Sequence, residues 1–200
     1  MKDERLHAMF RVVATLHHAE EAAFVEACAD FRDRFDSERF LLTDLLRVCH
    51  LFYGFPRIVR ATTLLAQQIG FVAPEEAVAF PEDRLKTGED AFREVYGKDA
   101  DPVLAHLERV DPTFRSWVLG HAYGTTFATT RLSLEERERI SVLALSASGC
   151  WQQARSHMRA CLRHGVSAEM LLADLQAVSW LDQEGLDLAT TCIHAEAQLG

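Results

Sequence analysis

Apolar residues recur at three- and four-residue steps through most of the chain, which is the pattern of helices that bury one face. Between Leu6 and Phe31 the set Met9, Phe10, Val13, Leu16, Ala23, Phe24, Ala27 and Phe31 keeps this step with one longer gap. Two helices are therefore expected, with a break near His17-His18. A second apolar run begins near Asp36-Ser37, takes in Leu41, Leu42, Leu45, Leu46, Val48 and Cys49, and reaches Tyr53-Gly54-Phe55-Pro56. Glycine ends a helix in a left-handed turn and proline opens the next one. A new helix is thus expected from Pro56 to Gln68, stopped by Gly70. Residues 70–82, with Pro74, Glu75-Glu76 and Pro81, read as the linker.

Helix signals resume after the linker. A helix is expected from Pro81 to Tyr96, closed by Gly97. Asp101-Pro102 and Asp111-Pro112 each read as an N-cap followed by a first-turn proline. They open helices to about Arg109 and to Tyr123-Gly124. Ser133 and Glu136 have capping-box spacing, and the helix behind them is apolar nearly all round from Ile140 to Ser148. Gly149 interrupts it. Further helices are expected from Cys150 to His164, from Ser167 to about Leu181, and from Glu184 to Ala197. No segment alternates as a strand would, so the fold class expected is all-α.

The pattern also hints at an internal repeat. Glu4-Arg5-Leu6 is similar to Glu138-Arg139-Ile140, and Thr43-Asp44-Leu45 to Ala173-Asp174-Leu175. The expected organisation is a first helical repeat over 1–70, connecting helices over 71–130 and a second repeat over 131–200. Together they would form one compact domain, packed as an internal pseudo-dimer of diverged helical-hairpin units.

Composition narrows the function classes. The chain has 200 residues, 48% apolar, with a formal net charge of −9. That balance opposes broad binding to nucleic acid or to an anionic membrane, which need basic surfaces. No stretch approaches the ~20 apolar residues of a membrane span, and the charged start lacks the apolar core of a secretory signal. A cytoplasmic protein is expected. Cys28, Cys49, Cys150, Cys161 and Cys192 are odd in number and far apart, a poor disulfide framework. Adjacent His17-His18 point to different helix faces, and neither HExxH nor CxxC occurs, so no metal is expected. No glycine-rich phosphate loop is present, and no cofactor is expected.

Four stretches carry a resemblance. They are Leu51-Phe-Tyr-Gly-Phe-Pro-Arg57; Arg84, Gly88, Phe92 and Tyr96-Gly97; Tyr123-Gly124 with Arg131-Leu-Ser-Leu-Glu-Glu-Arg137; and His157-Met-Arg159-Ala-Cys-Leu-Arg163-His-Gly165. In order and spacing they resemble the carboxymuconolactone decarboxylase-like family, which is related to alkylhydroperoxidase-like thiol proteins. The resemblance implies an all-helical homo-oligomer. It also implies a site similar to a Glu-x11-Cys-x2-Cys-x3-His pattern, on which Glu138, Cys150 and His157 fall. Gln153 stands where the second cysteine of that pattern belongs, which removes the two-cysteine cycle. Gly54, Phe55 and Pro56 would shape the pocket.

Read from the residues alone, the same positions leave alternatives open. Cys150 at a helix start is placed where a thiolate is favoured, or is an inert free cysteine. His157 is a general acid/base oriented by Glu138, or a core histidine satisfied by a carboxylate. Glu138 could equally pair with Arg137, Arg139 or Arg155 on a solvated face. Arg131, Arg155 and Arg159 would hold an anionic substrate, or form ion pairs with Glu135, Glu136 and Asp174. His121 and Tyr123 would line the same pocket, or pack. The leading expectation is single-cysteine peroxide chemistry. A lyase acting on a small carboxylated lactone is the second, and an oligomeric scaffold with a decayed site the third. The partners expected are a small molecule (peroxide or small carboxylate) and further copies of the chain, as a dimer or trimer. The other four cysteines read as helix-packing residues.

Overall fold

The computed structural model describes residues 2–70, 79–177 and 181–198. Among these residues every regular element is a helix, and no strand occurs. The expected linker at 70–82 and the expected helix end near Leu181 lie partly outside the described residues.

The chain divides into two compact units, Met1–Glu75 with Arg131–Gly200, and Glu76–Thr130. In the first unit, α1 (Lys2–His18) and α2 (Glu21–Arg34) form a hairpin, and α3 (Leu41–Gln68) packs on both. The turn between α1 and α2 passes through Ala19 at φ 59°. The break thus falls where the two histidines suggested it. α3 is one long element with an internal kink. Gly54 has φ 76° and ψ 162°, a conformation that only glycine adopts without strain. The helix resumes with Pro56 in its new first turn, where a missing N–H costs nothing.

In the second unit, α4 (Arg84–Tyr96) and α5 (Ala100–Val110) precede α6 (Pro112–Trp117), which continues as a wider π-helix over Val118–Phe127. α4 packs along that π-helix. Phe92 stacks on Tyr96 at 4.1 Å, and Tyr123 meets Phe92 and Phe127 edge-on at 5.0 and 5.1 Å.

The first unit closes with α7 (Leu134–Ala147), α8 (Trp151–Arg163), α9 (Ala168–Ala177) and α10 (Gln183–Ala197). The full Ser133–Glu136 capping box starts α7. α7 is the central element, touching α1, α3, α8, α9 and α10. The core around it holds Leu6, Phe10, Phe31, Leu42, Ile140 and Met158, all shielded from solvent.

Two expected helix starts move. Asp83, not Pro81, begins α4, its carboxylate accepting the Lys86 N–H. α5 begins at Ala100, so Asp101 lies inside it rather than capping it. A 3-10 turn over Gly97–Asp99 runs directly into α5. Pro102 then occupies the first turn, where backbone N–H groups have no helical partner and proline is tolerated. By contrast, Asp111 caps α6 as expected, accepting the Phe114 N–H, with Pro112 at the first position.

Candidate functional site

The α7–α8 hairpin carries the three residues of the expected site. α7 ends at Ala147, Gly149 turns the chain at φ 70°, and Cys150 is the N-cap of α8. This follows from the small-residue run ending in glycine, which stops one helix and lets the next start within a few residues. Cys150 is exposed, with its Sγ 3.7 Å from the Ser148 carbonyl. Seven residues further along α8, about 10 Å of helix, His157 is only 6% exposed. Its Nδ1 lies 2.7 Å from Oε2 of Glu138, which is fully buried on α7. A carboxylate only accepts, so Nδ1 carries the proton when Glu138 is ionised. Oε1 of Glu138 has no hydrogen-bond partner among the described residues. An acid-base pair thus sits in the interior, and the thiol stands at the surface end of the same helix. Gln153, between them in sequence, is exposed.

The buried position of Glu138 corrects the alternative of a solvated face. Its partner is His157 rather than an arginine, because it lies on the α7 side that packs against α8.

The cysteines divide sharply. Cys28, Cys49, Cys161 and Cys192 are buried, and Cys150 is exposed. Burial pushes the thiols of Cys28, Cys49 and Cys161 well above the usual cysteine value.

The three candidate anion-binding arginines are engaged by buried carboxylates. Arg131 gives Asp44 its backbone N–H and two guanidinium N–H groups, at 2.9, 2.8 and 3.0 Å, and lies over the Phe40 ring. Arg155 and Arg159 both donate to Glu196, at 2.6 and 3.0 Å. These partners differ from the acids expected, Glu135, Glu136 and Asp174. Of those, Glu135 and Asp174 hold Arg139, and Glu136 takes Arg5. His121 and Tyr123 belong to the unit Glu76–Thr130. His121 is exposed, whereas Tyr123 is buried in the aromatic cluster. Gly54 forms the α3 kink, Phe55 is 63% exposed and stacked on His50, and Pro56 lines a cleft with Tyr53 and Arg57.

Sequence reasoning passed over Asp44, Glu196 and the Arg57 cleft as functional elements. Asp44 left one signal, since it is the lone charge within the apolar run Leu41–Leu46. Glu196 gives a pH prediction. Burial raises its pKa, but the hydrogen bonds from Arg155 and Arg159 outweigh this and hold the carboxyl below the usual glutamate value. As pH falls, the unfolded state therefore takes up this proton first. The stabilisation is complete above the ordinary value of about 4.3, and is lost as pH falls through the lower folded value. Urea titrations at several pH values should show the stability gap between the native chain and Glu196→Gln shrinking below about pH 4. A gap independent of pH would show that the charge contributes nothing.

Among the described residues no cluster of three or more His, Cys, Asp or Glu side chains is placed to hold a metal. No described helix is long and apolar enough to cross a membrane.

An all-helical chain with a carboxylate-bound histidine and an exposed helix-start cysteine on one hairpin has the parts of the class that the sequence resembles. Residues 112–190, which include Glu138, Cys150 and His157, match the model of the carboxymuconolactone decarboxylase family. Over that stretch, less than half of its length, the chain is similar to this family. It is 29% identical over 91 residues to the 4-carboxymuconolactone decarboxylase of Acinetobacter baylyi, covering 45% of this chain and 68% of that relative. It is 24% identical over 124 residues to "Peroxisomal protein 2" of Schizosaccharomyces pombe, covering 60% of this chain and 58% of that relative. No solved structure gives a significant match.

Proposed function

We propose that this carboxymuconolactone decarboxylase-like, alkylhydroperoxidase-like chain reduces peroxides through the single thiol of Cys150. The observation that carries this reading is the contrast among its cysteines: one exposed at the start of α8, four buried in the helix packing. The thiolate is the reactive form of cysteine. Its sulfur attacks the terminal peroxide oxygen, the O–O bond breaks, and the alkoxide leaves and takes up a proton. The sulfur becomes a sulfenic acid and the peroxide an alcohol. With glutamine at 153, return to the thiol needs two external thiols. The first condenses to a mixed disulfide and releases water, and the second frees Cys150 and leaves as a disulfide. His157, its Nδ1 proton held by Glu138, stands about 10 Å along α8 from the thiol and supplies the acid-base part through a bridging water or Gln153.

Intact and peptide mass spectrometry after brief peroxide treatment of the native chain tests this. Cys150 should gain one oxygen ahead of the other four cysteines. His157→Gln should slow that gain without changing which cysteine reacts. Equal oxidation of all five thiols, or an unoxidised Cys150, overturns the reading.

A second reading is a lyase acting on a small carboxylated lactone. It is favoured by the buried Glu138–His157 pair, an acid-base unit that needs no thiol, and by the name of the Acinetobacter relative. Lactone turnover that survives Cys150→Ser and fails in His157→Ala would select it. We further propose that the α1–α2 and α7–α8 hairpins are diverged copies, and that the chain assembles as a homo-oligomer, a dimer or trimer. In support of the two-copy relation, Asp44 and Asp174 stand at matching positions of the sequence repeat. Both are buried, and each takes paired N–H groups from one arginine.

A further inference from the structure

The first half of the chain holds a cleft that the thiol chemistry does not use. Its volume is about 360 Å³, within the range of sites that take small ligands. It lies where α1 ends, α2 begins and α3 resumes beyond its kink. Leu16, Phe24, Ala61 and Leu64 give it apolar, buried walls.

The charges on its lining are not equivalent. Arg60 is neutralised by Glu21 through two 2.6 Å bonds. Glu20 is exposed as the N-cap of α2. Arg57 is half-buried, and its Nη1 donates to two backbone carbonyls, Leu16 and His17, each at 2.9 Å. It has no carboxylate partner among the described residues. This sets it apart from Arg60, Arg131, Arg139 and Arg155, all of which are bound to acids. A guanidinium has five N–H donors in a planar fork, so Arg57 keeps donors beyond those two bonds. Its guanidinium carbon lies 5.8 Å from the centre of the Tyr53 ring, which supports it from one face. Nearby His17 adds no charge at neutral pH, because burial, then His18, then Arg57 hold its pKa below the usual histidine value.

We infer that this cleft binds a small monocarboxylate with an apolar body, its carboxylate on Arg57 and its hydrocarbon part against Leu16, Phe24 and Leu64. One uncompensated cation suits a single negative charge. The exposed acid at Glu20 opposes di- and polyanions such as phosphate esters, and the apolar walls favour a hydrocarbon body over a sugar. The inference does not depend on Cys150, and a thiol variant should leave the cleft intact.

Arg57 also ties down the last carbonyls of α1, so a purely structural role has to be separated from binding. Calorimetric or NMR titration of the full chain with phenylacetate and with 4-methylpentanoate does this, using the matching amides as neutral controls. At least one acid should bind with a Kd below about 10 mM, and its amide should bind at least about tenfold more weakly, the worth of roughly 1.4 kcal/mol. Arg57→Gln should lose at least about tenfold in affinity for the acid, with Arg57→Lys recovering part of it. Thr15→Phe, which places bulk in the cleft and keeps Arg57, should abolish binding. Should Arg57→Gln fail to fold, Thr15→Phe and the amides still decide the matter. Absence of binding by both acids, equal binding of acid and amide, or undiminished binding by Thr15→Phe overturns the inference.

Discussion

Asp174→Ala is expected to cost about 3–5 kcal/mol of stability, the range for breaking a buried ion pair by removing one partner. Asp174 and Arg139 are each only 2% exposed. Arg139 joins them through two parallel bonds of 2.6 Å, Nε to Oδ2 and Nη2 to Oδ1. Burial alone would lower the arginine pKa, but the hydrogen bonds and charge of Asp174, followed by those of Glu135, raise it instead. Without Asp174 the guanidinium would keep Glu135 at 2.9 Å and Asp3 at 3.5 Å, both on its Nη1 side, and would face the α9 interior with unmatched donors. His7, 3.3 Å from Asp174, would lose a partner as well. Urea unfolding followed by helical circular dichroism measures the loss. The double variant Arg139→Met, Asp174→Leu should recover most of it, because a well-packed apolar pair replaces a buried ion pair at little cost. A loss below about 1 kcal/mol for Asp174→Ala would place the pair among ordinary surface contacts.

Gly124→Ala should be equally damaging in the unit Glu76–Thr130, for a steric reason. A Cβ at Gly124 would lie 1.8 Å from the Arg84 carbonyl oxygen, and one at Gly88 would lie 1.9 Å from the Leu119 carbonyl oxygen. Both clashes are with backbone, so no side-chain rotation relieves them, and α4 must move off the π-helix. The stacked Phe92 and Tyr96 and the edge-on Tyr123 would separate as it moves. A loss of about 3 kcal/mol is expected, at the upper end for overpacking. Reduced near-ultraviolet circular dichroism should accompany it as the aromatic cluster loosens. Gly120→Ala is the control. Its Cβ would meet only Leu85 Cδ2 at 3.4 Å, so its change should stay within about 1 kcal/mol. Equal effects at 120 and 124 would show that the close approach is not what limits the substitution.

These two cases mark where sequence reading stops. The glycines at 88 and 124 are visible in the sequence, and both fall in family-like stretches. Nothing local says that they are the points at which two helices touch. The π-helix over Val118–Phe127 is hidden for a related reason. Its apolar spacing satisfies a 3.6-residue period well enough to read as an ordinary helix. The wider turn lies in the backbone bonding, five residues apart instead of four, and the Thr125 hydroxyl likewise donates to the carbonyl of Gly120, five residues back.

The candidate site was half legible. The family-like spacing from Glu138 through Cys150 to His157 put all three on one hairpin, and Gly149 marked the helix start. What spacing could not supply was burial. The thiol is exposed and the Glu138–His157 pair is inside, because α8 turns its His157 face onto α7 while its N-terminal end projects from the packing. Arg131, Arg155 and Arg159 were legible as a group of cations, but their roles depend on acids distant in the chain, Asp44 and Glu196.

Local chemistry, then, wrote most of the helices and their ends. The apolar period, the Ser133–Glu136 box, Asp111-Pro112 and the glycines at 54, 149 and 165 act within a few residues, where backbone geometry and hydrogen-bond satisfaction decide the outcome. Packing decided everything that depends on partners far apart in sequence. It chose which arginine meets which buried acid, which thiol faces solvent, and why Arg57 alone of the cations discussed at the α1–α3 cleft meets carbonyls instead of a carboxylate. Such pairings follow from the burial of one helix face against another, and the sequence spacing of a single helix carries no record of them.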